Sequence, residues 1–307
     1  MPDVFRLVYV DLATASLEKA EDYYTDVLGA SIVAKTGRET YLSLGLDHHN
    51  VSLCAEPNPG LNAIGLQLCR DVPLADLAKR LKDSGVANHL RTDSRPGVPA
   101  LLEIPDVGGH TIHLFAAIDQ PAPGFSASGI VPLRLGHVAL LAQRADELLS
   151  FLTNMLKFRK TDWIGDPVTF LTCNRDHHVL NVVQAPVTGL HHIAFELRGL
   201  EHHVQAMDRL AAEKRPILWG PSRHHAGHNL ATYHHGPDNL LIEFYSEMDV
   251  FIPDLDSFEP RPWHDDLPQR PKHWRIEQMT AWETQYEFDF LTVSWGVRVP
   301  STTNAAL

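Results

Sequence analysis

The chain repeats itself. LVYVDL (7–12) lies over LGHVAL (135–140), YLSLGLDHHNVSL (41–53) over FLTCNRDHHVLNV (170–182), NAIGLQL (62–68) over HHIAFEL (191–197), and PDVGGHTIHLFAAID (105–119) over PDNLLIEFYSEMD (237–249). The offset stays near 128 to 130 residues, from Tyr9 against His137 to His113 against Glu243. An internal duplication of this length requires both halves to share one order of elements. Each half reads as strand, helix, strands, and then the same again. The first helices are LEKAEDYYTDVLG, with Ser16 as N-cap and Gly29 as stop, and its counterpart ADELLSFLTNMLKF. The later ones are PLADLAKRLKDSG (73–85) and LEHHVQAMDRLAAEK (200–214). The expected class is α+β, with four βαβββ modules paired into two similar barrel-like domains.

The expected boundaries are a first domain over 1–119, a linker over 120–132, a second domain over 133–250 and an extension over 251–307. The linker contains QPAPGFSASG, rich in Pro, Gly and Ser and without apolar periodicity. The extension begins with a Pro-rich, aromatic run and continues as an amphipathic stretch to Val299, which is expected to pack on the second domain. PSTTNAAL at the end is expected to be disordered.

With 307 residues, 44% of them hydrophobic, the chain can bury the core that two domains need. A net charge of -12 argues against a nucleic-acid surface, which draws on clustered Lys and Arg. MPDVFRLVYVDLATA has no basic region followed by an apolar run, and no stretch reaches membrane-spanning length, so a cytoplasmic protein without membrane partners is expected. Cys54, Cys69 and Cys173 are scattered on strand-like segments, which suits buried thiols rather than a disulfide framework.

The chemistry is concentrated in the second half. His137, His192 and Glu243 sit on the alternating segments LRLGHVALLA, TGLHHIAFEL and NLLIEFYSE. Period-two alternation turns these three to one face and Val138, Ile193, Ile242 and Phe244 to the other. Two imidazoles and one carboxylate can hold a divalent metal and leave about three octahedral positions open, as in non-haem Fe(II) sites. The duplication supplies a control: Tyr9, Ala63 and His113 occupy the matching positions of the first half, so only the second copy has the full set. The chain has 19 histidines, and 12 of them fall between His137 and His235. Of these, His191 is expected on the opposite face from His192, and His202 and His203 on a solvated helix start. His225, His228, His234 and His235 remain open as entrance or supporting residues.

With these residues in view, the chain resembles the type I extradiol ring-cleavage dioxygenases of the vicinal oxygen chelate superfamily over roughly residues 5 to 275. RHHAGHNLATYHHGPDNLLIEFY (223–245) is similar to the family's run from an active-site histidine through a tyrosine to the carboxylate ligand. The resemblance implies the glyoxalase/extradiol dioxygenase fold, Fe(II) or Mn(II) on His137, His192 and Glu243, and catalytic roles for His224 and Tyr233. It places an acid-base histidine in the DHH segment at His177, with His178 beside it as the alternative. It also implies a catechol-type substrate, O2 as co-substrate and a homo-oligomer. Departures from the family pattern at Thr232, Gly236 and Asn239 flank the ligands and leave the substrate pocket open. The rival functions are a glyoxalase-like isomerase or lyase and a non-catalytic small-molecule binding protein of the same superfamily.

Overall fold

A computed structural model describes residues 2–265, 267–284 and 295–298. Each module opens with a long strand, crosses by a helix and returns through three strands. The first module is β1 (Val4–Thr14), α1 (Leu17–Asp22), β2 (Ser31–Thr36), β3 (Glu39–Ser43) and β4 (Val51–Ala55). The second is β5 (Gly60–Leu68), α2 (Leu74–Asp83), β6 (His89–Arg95), β7 (Val98–Val107) and β8 (His110–Phe115). The third is β9 (Arg134–Ala142), α3 (Ala145–Ser150), β10 (Arg159–Ile164), β11 (Val168–Thr172) and β12 (Leu180–Gln184). The fourth is β13 (Thr188–Glu196), α4 (Leu200–Ala212), β14 (Ile217–Arg223), β15 (Leu230–His235) and β16 (Leu241–Ser246).

The duplication is visible in strand order. The first sheet runs β2-β3-β4-β1-β5-β8-β7-β6, and the second repeats this pattern as β10-β11-β12-β9-β13-β16-β15-β14. In each, the two modules meet antiparallel through their opening strands, β1 with β5 and β9 with β13. Each opening strand also pairs in parallel with the last strand of its own module, as β9 does with β12 and β13 with β16. This puts β9, β13 and β16 side by side. These are the strands that carry His137, His192 and Glu243.

Ser16 caps α1 by accepting from the Lys19 backbone N–H, and the helix then widens into a π-helical turn at Tyr23–Val27. The same widening follows α3 at Phe151–Met155, so the duplication extends to this irregularity. On α2, Leu77 and Leu81 are spaced by one turn and both are fully buried. The outward faces of the central strands bury Val138, Ile193, Ile242 and Phe244 completely, in a core that also takes Val10, Ile64 and Ile112 from the first half. That packing fixes the strands, and with them the opposite faces.

The extension adds short strands: β17 (Phe251–Ile252) with β18 (Ser257–Phe258), β19 (Lys272–Trp274) in parallel on β10, and β20 (Trp295–Arg298) antiparallel to the start of β13. Beyond β19 the chain crosses to β14, where Ala281 N–H donates to Arg223 O and Thr280 bridges to His224. The extension thus joins the two edge strands of the second sheet across the mouth of its curve. The expected disordered end, 300–307, lies outside the described residues. Cys173 is buried, but Cys54 and Cys69 are only partly so, which corrects the expectation of three buried thiols; all three are free. Among the described residues, no helix is long and apolar enough to cross a membrane.

Candidate active site

His137 Nε2 and His192 Nε2 each lie 3.1 Å from Glu243 Oε2, and 3.4 Å from one another. Ligands about 2.1 Å from a common ion stand about 3.0 Å apart at octahedral angles and about 3.4 Å apart at tetrahedral ones. The three observed spacings therefore fit one ion capping a triangular face, and the donor set of two imidazoles and a carboxylate fits Fe(II) or Mn(II). All three side chains are almost fully buried.

The charge states suit a cation. Burial opposes the ionised form of Glu243, yet the His137 and His192 rings outweigh it and hold its pKa well below the usual carboxylate range. Burial pushes His137 down, partly offset by Glu243. A carboxylate beside a neutral imidazole has no proton to expel when a metal enters. Asn229 Nδ2 donates to Glu243 Oε1 at 2.9 Å and Tyr233 OH to Oε2 at 2.7 Å, which fixes the carboxylate plane.

The cavity beside this triangle holds about 690 Å3 of unoccupied space, its mouth included. His137, His178, His191, His192, His224, Asn229, Tyr233 and Glu243 gather at one end, and Ala139, Ile164, Val168, Phe170, Val183, Ala226 and Met279 form most of the remainder. His224 Nδ1 donates to Met279 O at 3.0 Å, and its Nε2 lies 3.0 Å from Tyr233 OH. Burial lowers the His224 pKa, with Glu243 and the Met279 carbonyl acting against it. Of the catalytic residues expected from sequence, the structure brings His224 and Tyr233 to this cavity.

His177 is not among the lining residues; its neighbour His178 is, with its ring 4.3 Å from that of His137. Adjacent residues of an extended chain face opposite ways. His177 turns away, stacking on Phe258 at 5.0 Å and placing Nε2 3.2 Å from Asp162 Oδ2. Burial drives the His178 pKa well below its ordinary value, reinforced by His137 and His177.

Other histidines depart from expectation. His191 lines the same cavity as His192 instead of the opposite face, because the β9–β13 pairing slips between Leu190 and His192 and leaves His191 as an extra residue. Its Nδ1 sits 2.6 Å from His192 Nδ1, behind the nitrogen that faces the metal position. His202 and His203 are buried, not solvated, because the start of α4 is tucked against the sheet. His202 Nε2 donates to Ile130 O at 2.5 Å, while His203 bonds Thr232 and Ser246, both at 3.1 Å. His225, His228, His234 and His235 do not line the cavity. His228 instead meets Asp249 at 2.7 Å, with His264 on the other carboxylate oxygen at 2.9 Å. That trio could be mistaken for a second metal site. The Arg261 N–H donates to His264 Nδ1, however, so the ring's own proton sits on Nε2 and is given to Asp249. The cluster is a latch between the extension and the loop before β15.

The first half shows what the scaffold does without ligands. Strand pairing puts Tyr9 opposite Gly65 and Gly65 opposite His113, just as His137 faces Ala194 and Ala194 faces Glu243. Tyr9 OH and His113 Nδ1 bond directly at 3.0 Å, and Arg95 lies beside them: it grips Asp11 at 2.6 and 2.9 Å, bonds Ser52 at 2.8 Å and lies 4.3 Å over the Tyr9 ring. A guanidinium thus stands next to the positions where the second half gathers metal donors. The DHH segment is common to both halves. Arg6 pairs with Asp47 and Arg134 with Asp176, and the two rings of each His pair touch through Nδ1 at 3.1 and 2.9 Å. The aspartate is therefore a scaffold element, and what differs is what the second histidine faces.

The sequence matches the Glyoxalase/Bleomycin resistance protein/Dioxygenase superfamily over residues 6–119 and 134–244. A biphenyl-2,3-diol 1,2-dioxygenase of Metapseudomonas furukawaii is 25% identical over 257 residues, covering 78% of this chain and 84% of that protein. Among solved structures, the 2,3-dioxygenase LapB of Pseudomonas sp. KL28 superposes with a TM-score of 0.79 at 21% identity, covering 90% of this chain and 99% of that one. The Mn(II)-bound glyoxalase of Novosphingobium aromaticivorans superposes with a TM-score of 0.80 at 23% identity and 93% coverage of both. With the family match spanning both halves and leaving the linker between them, the chain belongs to the Glyoxalase/Bleomycin resistance protein/Dioxygenase superfamily.

Proposed function

We propose that this protein is an extradiol dioxygenase that cleaves a catechol-type aromatic diol beside its two hydroxyls, inserting both atoms of O2 to give a 2-hydroxymuconic semialdehyde type product. The observation that carries this reading is the ligand triangle at the end of an apolar cavity, ringed by His178, His224 and Tyr233. His137, His192 and Glu243 would hold Fe(II), with Mn(II) as the alternative. The ion would supply Lewis acidity toward the diol and a route for electrons between the ring and O2.

The protein's own groups handle protons and orientation. His177 Nε2 lies 3.2 Å from Asp162 Oδ2 without a hydrogen bond, and the Nδ1 atoms of His177 and His178 are 2.9 Å apart, so one ring donates to the other; we take His178 as the donor. His178 Nε2 then carries a lone pair toward the cavity, suited to take a proton from a diol hydroxyl and return it later. The site's acid-base role thus passes to His178, with His177 as a positioning residue. His224 and Tyr233, linked at 3.0 Å, present lone pairs on His224 Nε2 and the Tyr233 hydroxyl oxygen that can accept from the diol hydroxyls, their own protons being held by Met279 O and Glu243 Oε2. His191, against the back of His192, orients that ligand. The aliphatic wall excludes water.

Substituting His178 by Phe is expected to lower kcat by about 10^2 to 10^4 with metal content unchanged, whereas His177→Phe costs about tenfold and shows more of its effect in stability. Steady-state kinetics beside metal analysis check this, and full turnover in the His178 variant would remove the assignment. The reading as a whole is tested by incubating Fe(II)-loaded protein with catechols in air and under nitrogen. Coloured product with matching oxygen uptake is expected only in air. The Mn(II)-bound glyoxalase neighbour keeps an isomerase or lyase as the second reading. Turnover without oxygen consumption would favour it.

A further inference from the structure

Strand register divides the cavity wall into rows. His137 and its ligand partners form the first. Two residues along β9, Ala139 faces Asn181, which faces Phe170. Two further along, Val183 faces Val168, which faces Ile164. At about 3.3 Å per residue, this third row lies about 13 Å from the ligand row. A diol anchored by its oxygens at the first row lays its ring along the second and sends its far substituent to the third. There it meets Ile164, Val168 and Val183, with Met279 supplied by the extension and Ala226 by the loop before β15.

None of the lining residues is Lys or Arg. Segments 285–294 and 299–307, outside the described residues, contain neither residue type in sequence. Arg223, near the cavity end of β14, is already committed to Glu247 and to His228 O. A carboxylate on the substrate's far end would therefore be desolvated against aliphatic side chains with no countercharge.

We propose that the site selects catechols whose ring substituent is uncharged and apolar, and rejects those bearing a carboxylate, with the Ile164–Val168–Val183 row as the determinant. This rests on the ring-cleavage reading for turnover, but not for binding. The test is calorimetric titration of anaerobic, Fe(II)-loaded protein with 4-ethylcatechol and with 3,4-dihydroxyphenylacetate, which share the substitution position and differ in charge. The neutral diol is expected to bind about a hundredfold more tightly; equal affinities, or the reverse order, would overturn the selection. Adding air separates the two ideas, because tight, selective binding without ring fission would defeat the dioxygenase reading and leave the selection standing. Val183, only half-buried, offers a second arm: Val183→Arg, checked for folding by circular dichroism, should gain at least about tenfold in affinity for the carboxylated diol. A folded variant with no gain would show that the substituent does not reach this row. If the variant does not fold, the wild-type comparison still decides.

Discussion

Substituting Glu243 by Gln is expected to leave a folded protein that no longer retains metal, with an ion affinity weaker by about 10^3-fold, or about 4 kcal/mol. The size of the effect follows from what surrounds the carboxylate. Tyr233 and Asn229 donate to it, and His137 and His192 converge on Oε2, so every neighbour is arranged for an anion. A Gln side chain keeps the shape but turns an amide NH2 toward donors and removes the only negative charge in the ligand set. Metal analysis after dialysis gives the stoichiometry, and competition with a chelator gives the affinity. Stoichiometric metal in this variant would take Glu243 out of the site. The same substitution should abolish ring fission, but the metal measurement stands without any assumption about the reaction.

The trio could be read from sequence because two independent signals coincide there. Alternation set the facing of His137, His192 and Glu243, and the duplication showed which scaffold positions had been changed in one copy alone. Both depend on regular strands, and the misses occur where regularity ends. His191 follows a slip in strand pairing that no period-two pattern encodes. His177 and His178 sit just before β12, where the phase of alternation is set by the Asp176 bridge to Val250 at the end of the second domain. His202 and His203 begin a helix whose first turn is pulled under the sheet by Ile130, Thr232 and Ser246, contacts distant in sequence. Met279 comes from a segment with no counterpart in the first half, so the internal control could not reach it. The role of Arg95 did leave a trace: Asp11 and Ser52 stand where the second half has Ala139 and Asn181, a half-buried acid calling for a cation.

Buried histidines also set how the fold responds to acid. Burial lowers the pKa of His203 and of His113 to about 4, and that of His234 to about 3. In the unfolded chain each titrates near 6.5. Above about pH 7 neither state carries these protons, so the three residues contribute no pH dependence. As pH falls below 6.5 the unfolded state takes them up and the folded state does not, so stability is lost until the folded pKa values are reached. At pH 5 each group has cost about 2 kcal/mol, and the three lie on separate strands and a helix, so their effects add to about 6 kcal/mol. That is comparable with the whole stability of a typical domain. Urea unfolding of the metal-free protein at pH 8, 6 and 5 should show a midpoint that changes little above pH 7 and then falls steeply. A midpoint independent of pH down to 5 would mean that these rings accept protons in the folded state. His203→Gln should make the slope shallower, because its Thr232 and Ser246 partners can bond an amide that does not titrate in this range.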